Sequence, residues 1–395
     1  MDSQPSPRPF VTPSRLLERL DEAAASLLCI GFAGKSSSPE LEALLQRGVG
    51  GVILFRRNVE HPTQVCALLN TLQEARRDEL PLLVAADQEG GRVARLREPL
   101  TTFPDFSWLG RTGDEALARR FAHVLARELR VVGFNLNFAP VMDVDSNPAN
   151  PVIGPRALSA DPAEVARLGC VVLRAFHEEG LLACAKHFPG HGDTLTDSHL
   201  ELPELPHALE RLEQLELVPF REAIRAGVKL IMTAHVRFHA LDPAVPATLS
   251  HPVLTGLLRE RLGFQGVIVS DDLEMKAVLD HFGIVRSVTE GLAAGVDLFL
   301  ICHTLSRVEE AIEALVKQAA QDVQLRHKLW ASAARVRTLR AELGPYQPRD
   351  PERVMAQVAT PEHLAVAEEL RLRGAPPVSA SSVQSAAATT FVTQV

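Results

Sequence analysis

Short apolar runs alternate along the chain with longer segments in which hydrophobic positions recur with a helical period. The short runs are rich in β-branched and other apolar residues, which is typical of buried strands. A regular strand, helix, strand order is typical of a parallel sheet, so the pattern predicts eight successive βα units. The predicted strands are residues 26–34, 50–55, 81–87, 135–144, 181–188, 228–236, 266–272 and 295–301.

The segments between these runs carry the start and stop signals of helices. Three of them have a proline in the first turn, after Ser38, His61 and Asp161, and several end on a glycine. Proline is favoured at the first helical position and glycine just past the last one. Helices are therefore predicted over residues 39–47, 62–78, 114–132, 162–179, 209–226, 252–262, 285–294 and 305–343.

Eight βα units within roughly 320 residues predict an α/β fold, a single (β/α)8 TIM-type barrel. The alternative is a doubly wound sheet, but neither a G-x-G-x-x-G segment after the first strand nor a G-x-x-x-x-G-K-[ST] segment is present. We expect an N-terminal extension over 1–25, the barrel domain over 26–345 and a short C-terminal extension over 346–395. In the last region residues 361–373 are predicted to be helical, and the final small-residue-rich stretch is expected to be disordered.

Composition narrows the possible partners and the compartment. Of 395 residues, 46% are hydrophobic and 23% charged, and the 41 basic against 49 acidic residues leave a net charge of −8, which disfavours nucleic acid as a partner. No apolar run approaches the ~20 residues of a membrane helix, and the first residues lack a signal-peptide pattern, so we expect no membrane association. Five cysteines without a CxxC spacing favour reduced thiols and a cytoplasmic location.

Polar residues stand at the carboxyl ends of the predicted strands, which is where barrel enzymes place their active sites. An isolated aspartate at such a position is more often a loop cap than a catalytic group. Several polar residues on one rim of the barrel favour an active site. The residues concerned are Asp87, Asp143, Lys186, His187, His235 and Asp271.

The densest group of reactive side chains is the segment KHFPGHGDTLTDSH, residues 186–199. Asp197 and His199 are two residues apart, so the carboxylate can accept a ring N–H and orient the imidazole for proton transfer. A hydrogen bond within a solvated loop is the alternative. His191, Asp193 and His199 could also bind a metal, but they lack the H-E-x-x-H spacing, and we expect no metal and no cofactor.

Asp271 follows the apolar run GVIVS, so a rigid strand carries its carboxylate to the barrel mouth. A rigidly held carboxylate suits a nucleophile, although helix capping is an alternative role. Strand alternation directs the neighbouring Asp272 to the opposite face. The segment DQEGGRV, residues 87–93, suits a hydroxyl-rich ligand or is a turn with solvated charges.

Six segments, taken in order, resemble the motif set of glycoside hydrolase family 3 and in particular its bacterial β-N-acetylglucosaminidase branch. The resemblance covers about residues 26–340 and departs from the usual pattern at Pro155, where an acidic or polar residue is expected. The segments are DQEGGRVARL (87–96), NFAPVMDV (137–144), VIGPRALSADP (152–162), KHFPGHGDTLTDSH (186–199), IMTAHV (231–236) and VIVSDDLEM (267–275).

The resemblance implies a barrel enzyme that hydrolyses terminal β-linked N-acetylglucosamine with retention of configuration. Asp271 would be the nucleophile, and His199, oriented by Asp197, the general acid and base. The sugar-binding residues implied are Asp87, Arg156, Lys186, His187, His235 and Asp143.

The expected partner is a small carbohydrate or muropeptide bound by a monomer, and the expected process is peptidoglycan muropeptide turnover. Four alternatives remain open: a β-glucosidase of the same family, a metal-dependent barrel hydrolase, an inactive sugar-binding barrel, and catalysis assisted by the substrate's acetamido group.

Overall fold

Eight short strands close into a parallel barrel in the structure, a computed structural model that describes residues 13–196 and 201–377. Each strand pairs with its neighbours in the chain, and the first pairs in parallel with the eighth, for example Leu28 with Phe299. The prediction of a (β/α)8 barrel is confirmed. The strands are β1 (Leu28–Ile30), β2 (Gly51–Ile53), β3 (Leu83–Ala86), β4 (Leu136–Asn137), β5 (Leu182–Phe188), β6 (Leu230–Thr233), β7 (Val267–Asp272) and β8 (Leu298–Ile301).

Helices form the layer around the barrel. Because they cover the outer face while side chains fill the inside, every residue of β1, β2, β3, β5 and β8 is buried. The helices are α1 (Pro13–Ser26), α2 (Pro39–Arg47), α3 (Pro62–Glu74), α4 (Phe106–Thr112), α5 (Glu115–Val132), α6 (Pro162–Glu178), α7 (Leu209–Gln214), α8 (Leu217–Arg225), the π-helical α9 (Pro252–Arg261), α10 (Lys276–Ala294), α11 (Leu305–Gln321), α12 (Val323–Glu342), α13 (Pro351–Val354) and α14 (Pro361–Gly374).

In the part of the chain that the structure describes, two small sheets and three 3-10 turns lie in the loops. An antiparallel pair joins Gln88–Gly90 to Val93–Ala94, just beyond β3. A parallel pair joins Glu204–Leu205 to Arg237–Phe238. All of these strands follow the carboxyl ends of barrel strands, so they build the mouth of the barrel. The 3-10 turns are Arg56–Asn58, Gly154–Arg156 and Ala247–Leu249.

The helix signals in the sequence act as expected at α2. The Ser38 hydroxyl accepts a hydrogen bond from the Leu41 amide, and Pro39 occupies the first turn. Gly48 ends the helix in the left-handed region with φ 106°, which a residue with a Cβ adopts only under strain. The helix spans Pro39–Arg47, as predicted.

Several predicted boundaries are wrong. The helix predicted over 285–294 begins at Lys276 and is interrupted at Gly283, which has φ 66°. The segment predicted as one helix over 305–343 divides at Asp322, whose carboxylate caps α12 by accepting from the Gln324 and Leu325 amides. The predicted helix over 209–226 likewise divides into α7 and α8. Apolar periodicity continues across such breaks, because the helices on either side pack on the same barrel.

The predicted strand over 135–144 is shortened to the two residues of β4. Pro140 follows it, and a proline has no amide hydrogen to donate to a ladder. Pairing resumes only at an isolated bridge between Val141 and Lys186. Asp143 therefore lies on a loop that runs alongside β5 rather than at a strand end.

The terminal helices pack on the barrel layer. Within the region predicted to be an N-terminal extension, α1 packs on α11 and α12. At the other end α14 packs on α4 and α5, and it spans the helix predicted over 361–373. The predicted tail lies largely in residues 378–395, outside the described residues. Within residues 13–196 and 201–377, no helix combines the length and apolar character needed to cross a bilayer.

Candidate active site

Polar side chains from β3, β5 and the loop after β4 converge at the barrel mouth around one lysine. Lys186, at the end of β5, is 2% exposed, and its Nζ lies 2.9 Å from Asp87 Oδ1 and 2.7 Å from Glu89 Oε1. Arg156 approaches Glu89 in a fork, with Nε 2.9 Å and Nη2 2.8 Å from the two carboxylate oxygens. The two cations and two carboxylates form one buried network, called here the paired cluster.

Each charge in the paired cluster keeps the others ionised. Burial by itself would raise the pKa of Glu89, but Arg156 and Lys186 reverse the effect and lower that pKa to about 2. The Asp87 side chain is 15% exposed, and Lys186 and Arg95 outweigh its partial burial and hold its pKa well below the ordinary value. Burial would lower the pKa of Lys186, and the two carboxylates raise it instead. All members of the cluster are therefore charged near neutral pH.

A second pair orients His187, the residue after the lysine. Its Nδ1 lies 2.6 Å from Asp143 Oδ2, and the backbone amides of His187 and His191 also donate to this carboxylate. Burial would raise the pKa of Asp143, but the neighbouring His187 outweighs it and the pKa is lowered. The Asp143 bond fixes the ring at Nδ1, and Nε2 has no hydrogen-bond partner within residues 13–196 and 201–377.

His235 follows β6 and has both ring nitrogens occupied by the protein. Nδ1 lies 2.8 Å from Thr248 Oγ1, and Nε2 lies 3.0 Å from the Asp272 carbonyl oxygen. Burial lowers its pKa, which favours the neutral ring. In this arrangement His235 supports the end of β7, so a direct contact with a sugar would require it to give up one of these bonds.

Asp271 lies on β7 opposite these groups and is far less constrained. Among the described residues, its carboxylate accepts one hydrogen bond, at 2.8 Å from the Asp272 amide. Burial would raise its pKa, but His187 and His235 lower it below the ordinary value. The result is an ionised carboxylate with one oxygen that has no hydrogen-bond partner among the described residues.

Asp272, the next residue of the same strand, has more hydrogen-bond partners than Asp271. Its Oδ1 accepts from the amides of Glu274, at 3.0 Å, and Cys302, at 3.2 Å, and its Oδ2 lies 3.2 Å from His303 Nε2. This carboxylate joins the end of β7 to β8. The sequence prediction that Asp272 points to the opposite face of the strand from Asp271 stays a prediction, although the two carboxylates have different hydrogen-bond partners.

The predicted dyad of Asp197 and His199 lies in residues 197–200, outside the described residues. Just before it, His191 Nδ1 lies 2.9 Å from Thr194 Oγ1, and burial lowers the pKa of His191 to about 4. Asp193 accepts from Ser146 Oγ at 3.0 Å, with further contacts to His207 and Arg211.

These contacts bear on the alternative of a metal site. Among the described residues, which do not include His199, no three His, Cys, Asp or Glu side chains are grouped as metal ligands. His191 and Asp193 are engaged with protein groups instead. The expectation of no metal and no cofactor stays a prediction.

Sequence reasoning missed two residues of the site, Glu89 and Arg95. Glu89 follows Asp87 by two positions, and strand alternation alone would have placed the two carboxylates on one face. Arg95 Nη2 lies 2.9 Å from Asp87 Oδ2, because the antiparallel pairing of Gln88 with Ala94 brings it opposite that carboxylate. Its buried Nε has no partner among the described residues.

The site thus combines fixed hydrogen-bonding groups with a reactive carboxylate. Asp87, Arg95 and His187 can exchange hydrogen bonds with the hydroxyl groups of a polar ligand. Asp271 can attack an electrophilic carbon of that ligand from the opposite wall. The arrangement is suited to substitution at a carbon held between the two.

Comparisons with known proteins agree with this geometry. The family model described as the glycosyl hydrolase family 3 N terminal domain matches residues 19–339. The chain is 38% identical over 361 residues to a β-hexosaminidase A of Pseudoalteromonas piscicida, covering 85% of this chain and 60% of the relative's length. It is 40% identical over 298 residues to a β-hexosaminidase of Thiobacillus denitrificans, covering 74% and 79% of the two chains.

A solved structure extends the comparison to three dimensions. The family 3 β-N-acetylglucosaminidase of Paenibacillus sp. str. FPU-7 has a TM-score of 0.84 and 40% sequence identity to this chain. The alignment covers 90% of this chain and 68% of that protein. Both the sequence and the fold therefore point to one family.

Proposed function

The chain belongs to glycoside hydrolase family 3, and we propose that it is a retaining β-N-acetylglucosaminidase that removes terminal β-linked N-acetylglucosamine. The observation that carries the proposal is Asp271, an ionised carboxylate on β7 facing a cluster of sugar-binding groups across the mouth. The names of the relatives, β-hexosaminidase and β-N-acetylglucosaminidase, support the choice of sugar.

In the first step, Asp271 attacks the anomeric carbon while the bond to the leaving group breaks. His199 gives its proton to the leaving oxygen, so the sugar is left as an ester of the Asp271 carboxylate. In the second step, the now neutral His199 takes a proton from water, which attacks the anomeric carbon and releases Asp271. Two displacements at the same carbon retain the configuration.

The paired cluster has a positioning role in this scheme. Asp87 and Lys186 are already ionised and fixed before the ligand arrives, so binding costs little further ordering. His187, fixed by Asp143, can donate or accept at Nε2 toward a ring hydroxyl. A low pKa keeps Asp271 ionised, which a nucleophile requires. Arg156 acts on the sugar directly or by holding Glu89 in place.

Peptidoglycan muropeptides are the proposed natural substrates, hydrolysed by a monomer in the cytoplasm. The acidic net charge and the reduced cysteines favour this setting, and the motif resemblance favours the substrate class. A purified muropeptide carrying terminal N-acetylglucosamine should release the free sugar. Failure to do so, with turnover of simple aryl glycosides intact, would reject this substrate class while retaining the activity.

Trapping the intermediate tests the central claim. A 5-fluoro N-acetylglucosaminyl fluoride should inactivate the enzyme slowly, and mass spectrometry should find the sugar on the peptide that contains Asp271. Rapid turnover without an adduct, together with a detectable oxazoline, would instead support catalysis by the acetamido group. An adduct on another carboxylate would move the nucleophile.

The sugar preference has a separate test. Paired nitrophenyl substrates, the N-acetylglucosaminide and the glucoside, should differ in kcat/KM by at least about a hundredfold in favour of the first, since a site built for an amide leaves polar groups unpaired without it. A reversed preference would indicate the β-glucosidase alternative. Binding of both sugars without hydrolysis would indicate an inactive sugar-binding barrel.

A further inference from the structure

A second cavity lies behind the strand that carries two residues of the paired cluster. Asp87, just before the hairpin strand Gln88–Gly90, and Glu89 within it contact Lys186, whereas Gln88 and Gly90 line a cavity of about 580 Å³. Strand alternation explains the division, because successive residues point to opposite faces. We call this space the back cavity. It shares none of Asp87, Lys186, His187 or Asp271 with the candidate active site.

The walls of the back cavity carry an excess of positive charge. Arg56, Arg97 and Arg371 line it, and Glu98 is the one carboxylate among its lining residues. The chain as a whole has a net charge of −8, so this concentration of guanidinium groups runs against the overall composition. Like charges repel when they are brought together, and an anion between them removes the repulsion.

The three arginines differ in how much of their hydrogen-bonding capacity the protein uses. Arg371 Nη2 donates to the Thr102 carbonyl oxygen at 2.6 Å and to Thr102 Oγ1 at 3.1 Å, and its Nη1 lies 3.7 Å from Glu368 Oε2 in an exposed ion pair. Arg97 Nη2 reaches the Gly91 carbonyl oxygen at 3.3 Å. The Arg56 side chain makes no hydrogen bond or ion pair to any residue of 13–196 and 201–377. A guanidinium has five N–H donors in a fork that matches carboxylate and phosphate, so many donors remain for a ligand.

The same cavity offers aromatic surface. Trp108 and Phe103 line it, and the Trp108 ring is only partly buried. Arg111 stacks on Trp108, with its guanidinium carbon 5.6 Å from the ring centroid. A half-exposed indole beside several guanidiniums suits a ligand with both a flat apolar group and a negative group.

The cavity also depends on a helix outside the part of the chain that matches the family model. That match ends at residue 339, whereas Arg371 belongs to α14, Pro361–Gly374. The helix is fixed beside Trp108, since Arg111 Nε donates to the Gly374 carbonyl oxygen at 2.7 Å. The cationic wall is therefore assembled from the barrel loops and a C-terminal helix together.

From these observations we propose that the back cavity is a second ligand site, which binds a small organic anion carrying a carboxylate or phosphate and an aromatic or similarly flat apolar group. The guanidiniums of Arg56, Arg97 and Arg371 bind the anionic group, and Trp108 contacts the flat one. The site is independent of the proposed hydrolysis, since it uses none of the groups assigned to it.

Tryptophan fluorescence gives a direct test, because the chain has two tryptophans, Trp108 and Trp330. Trp330 stacks with Arg19 in another part of the molecule, so Trp330→Phe leaves Trp108 as the sole reporter. In this variant, phenyl phosphate and benzoate, titrated separately at constant ionic strength, should change the Trp108 emission saturably. Absence of a saturable change with both probes would overturn the proposal.

Matched substitutions locate the binding. Arg97→Gln and Arg56→Gln, both at exposed positions, should each weaken the better probe at least about tenfold, the loss expected for one charge-assisted contact. Arg174→Gln, an exposed arginine on α6 outside the cavity, makes the same charge change and should leave affinity unaltered. Equal losses in all three variants, or none in the first two, would reject the site.

The probe's chemistry is tested in the same way. Benzyl alcohol, which keeps the ring and lacks the charge, should bind at least about tenfold more weakly than phenyl phosphate. Inorganic phosphate, which keeps the charge and lacks the ring, should also bind more weakly. Equal binding of inorganic phosphate would remove the requirement for a flat group and overturn the proposal as stated.

Discussion

The two walls of the barrel mouth are built on opposite principles. On the β3 and β5 side, Asp87, Glu89, Lys186 and Arg156 satisfy one another in a buried network. On the β7 side, Asp271 accepts a single hydrogen bond among the described residues. Both walls carry ionised carboxylates whose pKa values are lowered, yet one set is committed to partners and the other is available.

The difference separates positioning from reaction. A carboxylate that already accepts bonds from two cations is a poor nucleophile, because its lone pairs are occupied. The pKa of Asp271 is lowered by His187 and His235, which do not hydrogen-bond to it among the described residues. One oxygen of this carboxylate therefore has no hydrogen-bond partner among the described residues and can form a bond.

The largest effect is expected at the reactive wall. Asp271→Asn should lower kcat by at least on the order of a thousandfold on the nitrophenyl N-acetylglucosaminide, because an amide cannot form the ester intermediate. Asp272→Asn is the matched control, since its carboxylate accepts backbone bonds that an amide oxygen can also accept. Comparable losses in both variants, or an Asp271→Asn enzyme with more than a few per cent activity and an unchanged Tm, would contradict the assignment.

The acid and base role of His199 should depend on the leaving group. His199→Ala should slow a poor leaving group by about a hundredfold to ten-thousandfold and an activated nitrophenyl group much less, because a good leaving group needs little protonation. Asp197→Ala should show the same pattern in milder form. Steady-state kinetics on a series of aryl glycosides checks both. Losses independent of the leaving group would assign His199 to binding or folding.

Substitutions in the paired cluster should change the stability of the fold. Glu89→Ala removes the carboxylate that pairs with the buried Arg156 and one of the two carboxylates that pair with Lys186. This loss should lower the free energy of unfolding by about 3–5 kcal/mol. Glu164 is the control, because its pair with Arg167 is exposed at the surface. Glu164→Ala should change the free energy of unfolding by less than about 1 kcal/mol. Urea unfolding followed by circular dichroism measures both. Similar small values would mean that the cluster contributes little to folding.

A smaller effect should appear as a pH dependence at His191. Its folded pKa is about 4, against an ordinary value near 6.5, so between these values the unfolded state binds more protons. The free energy of unfolding should therefore fall by about 1–2 kcal/mol between pH 7 and pH 5 through this residue alone. His191→Gln should remove that part of the slope, whereas His281→Gln, at an exposed position, should keep it.

Removal of metal should have the smallest effect. If His191 and Asp193 serve protein contacts and His199 transfers protons, exhaustive chelation should leave kcat/KM unchanged, and elemental analysis should find no stoichiometric zinc. A chelator-sensitive rate restored by one equivalent of zinc would instead recast His191, Asp193 and His199 as ligands. Such a result would also mean that His199 binds a metal instead of transferring a proton.

Local patterns in the sequence were sufficient for the architecture and for the rim that carries the site. The alternation of apolar runs and helical segments predicted all eight strands, because each βα unit is specified by its own periodicity. The same order brings the carboxyl ends of parallel strands to one rim, so Asp87, Lys186 and Asp271 could be placed there without coordinates. Helix breaks at Gly283 and Asp322 were missed, because apolar faces continue across them.

Only the folded barrel determined which charged side chains of the site pair with one another. Arg156 is 67 residues from Glu89 in sequence, and Lys186 is 99 from Asp87. A sequence pattern carries no information about such pairs, since their energy depends on distance and burial in the folded chain. The same holds for the two hydrogen bonds of the His235 ring and for the back cavity, which Arg371 of α14 lines together with Gln88 and Gly90. These arrangements arise from contacts that form only in the folded chain.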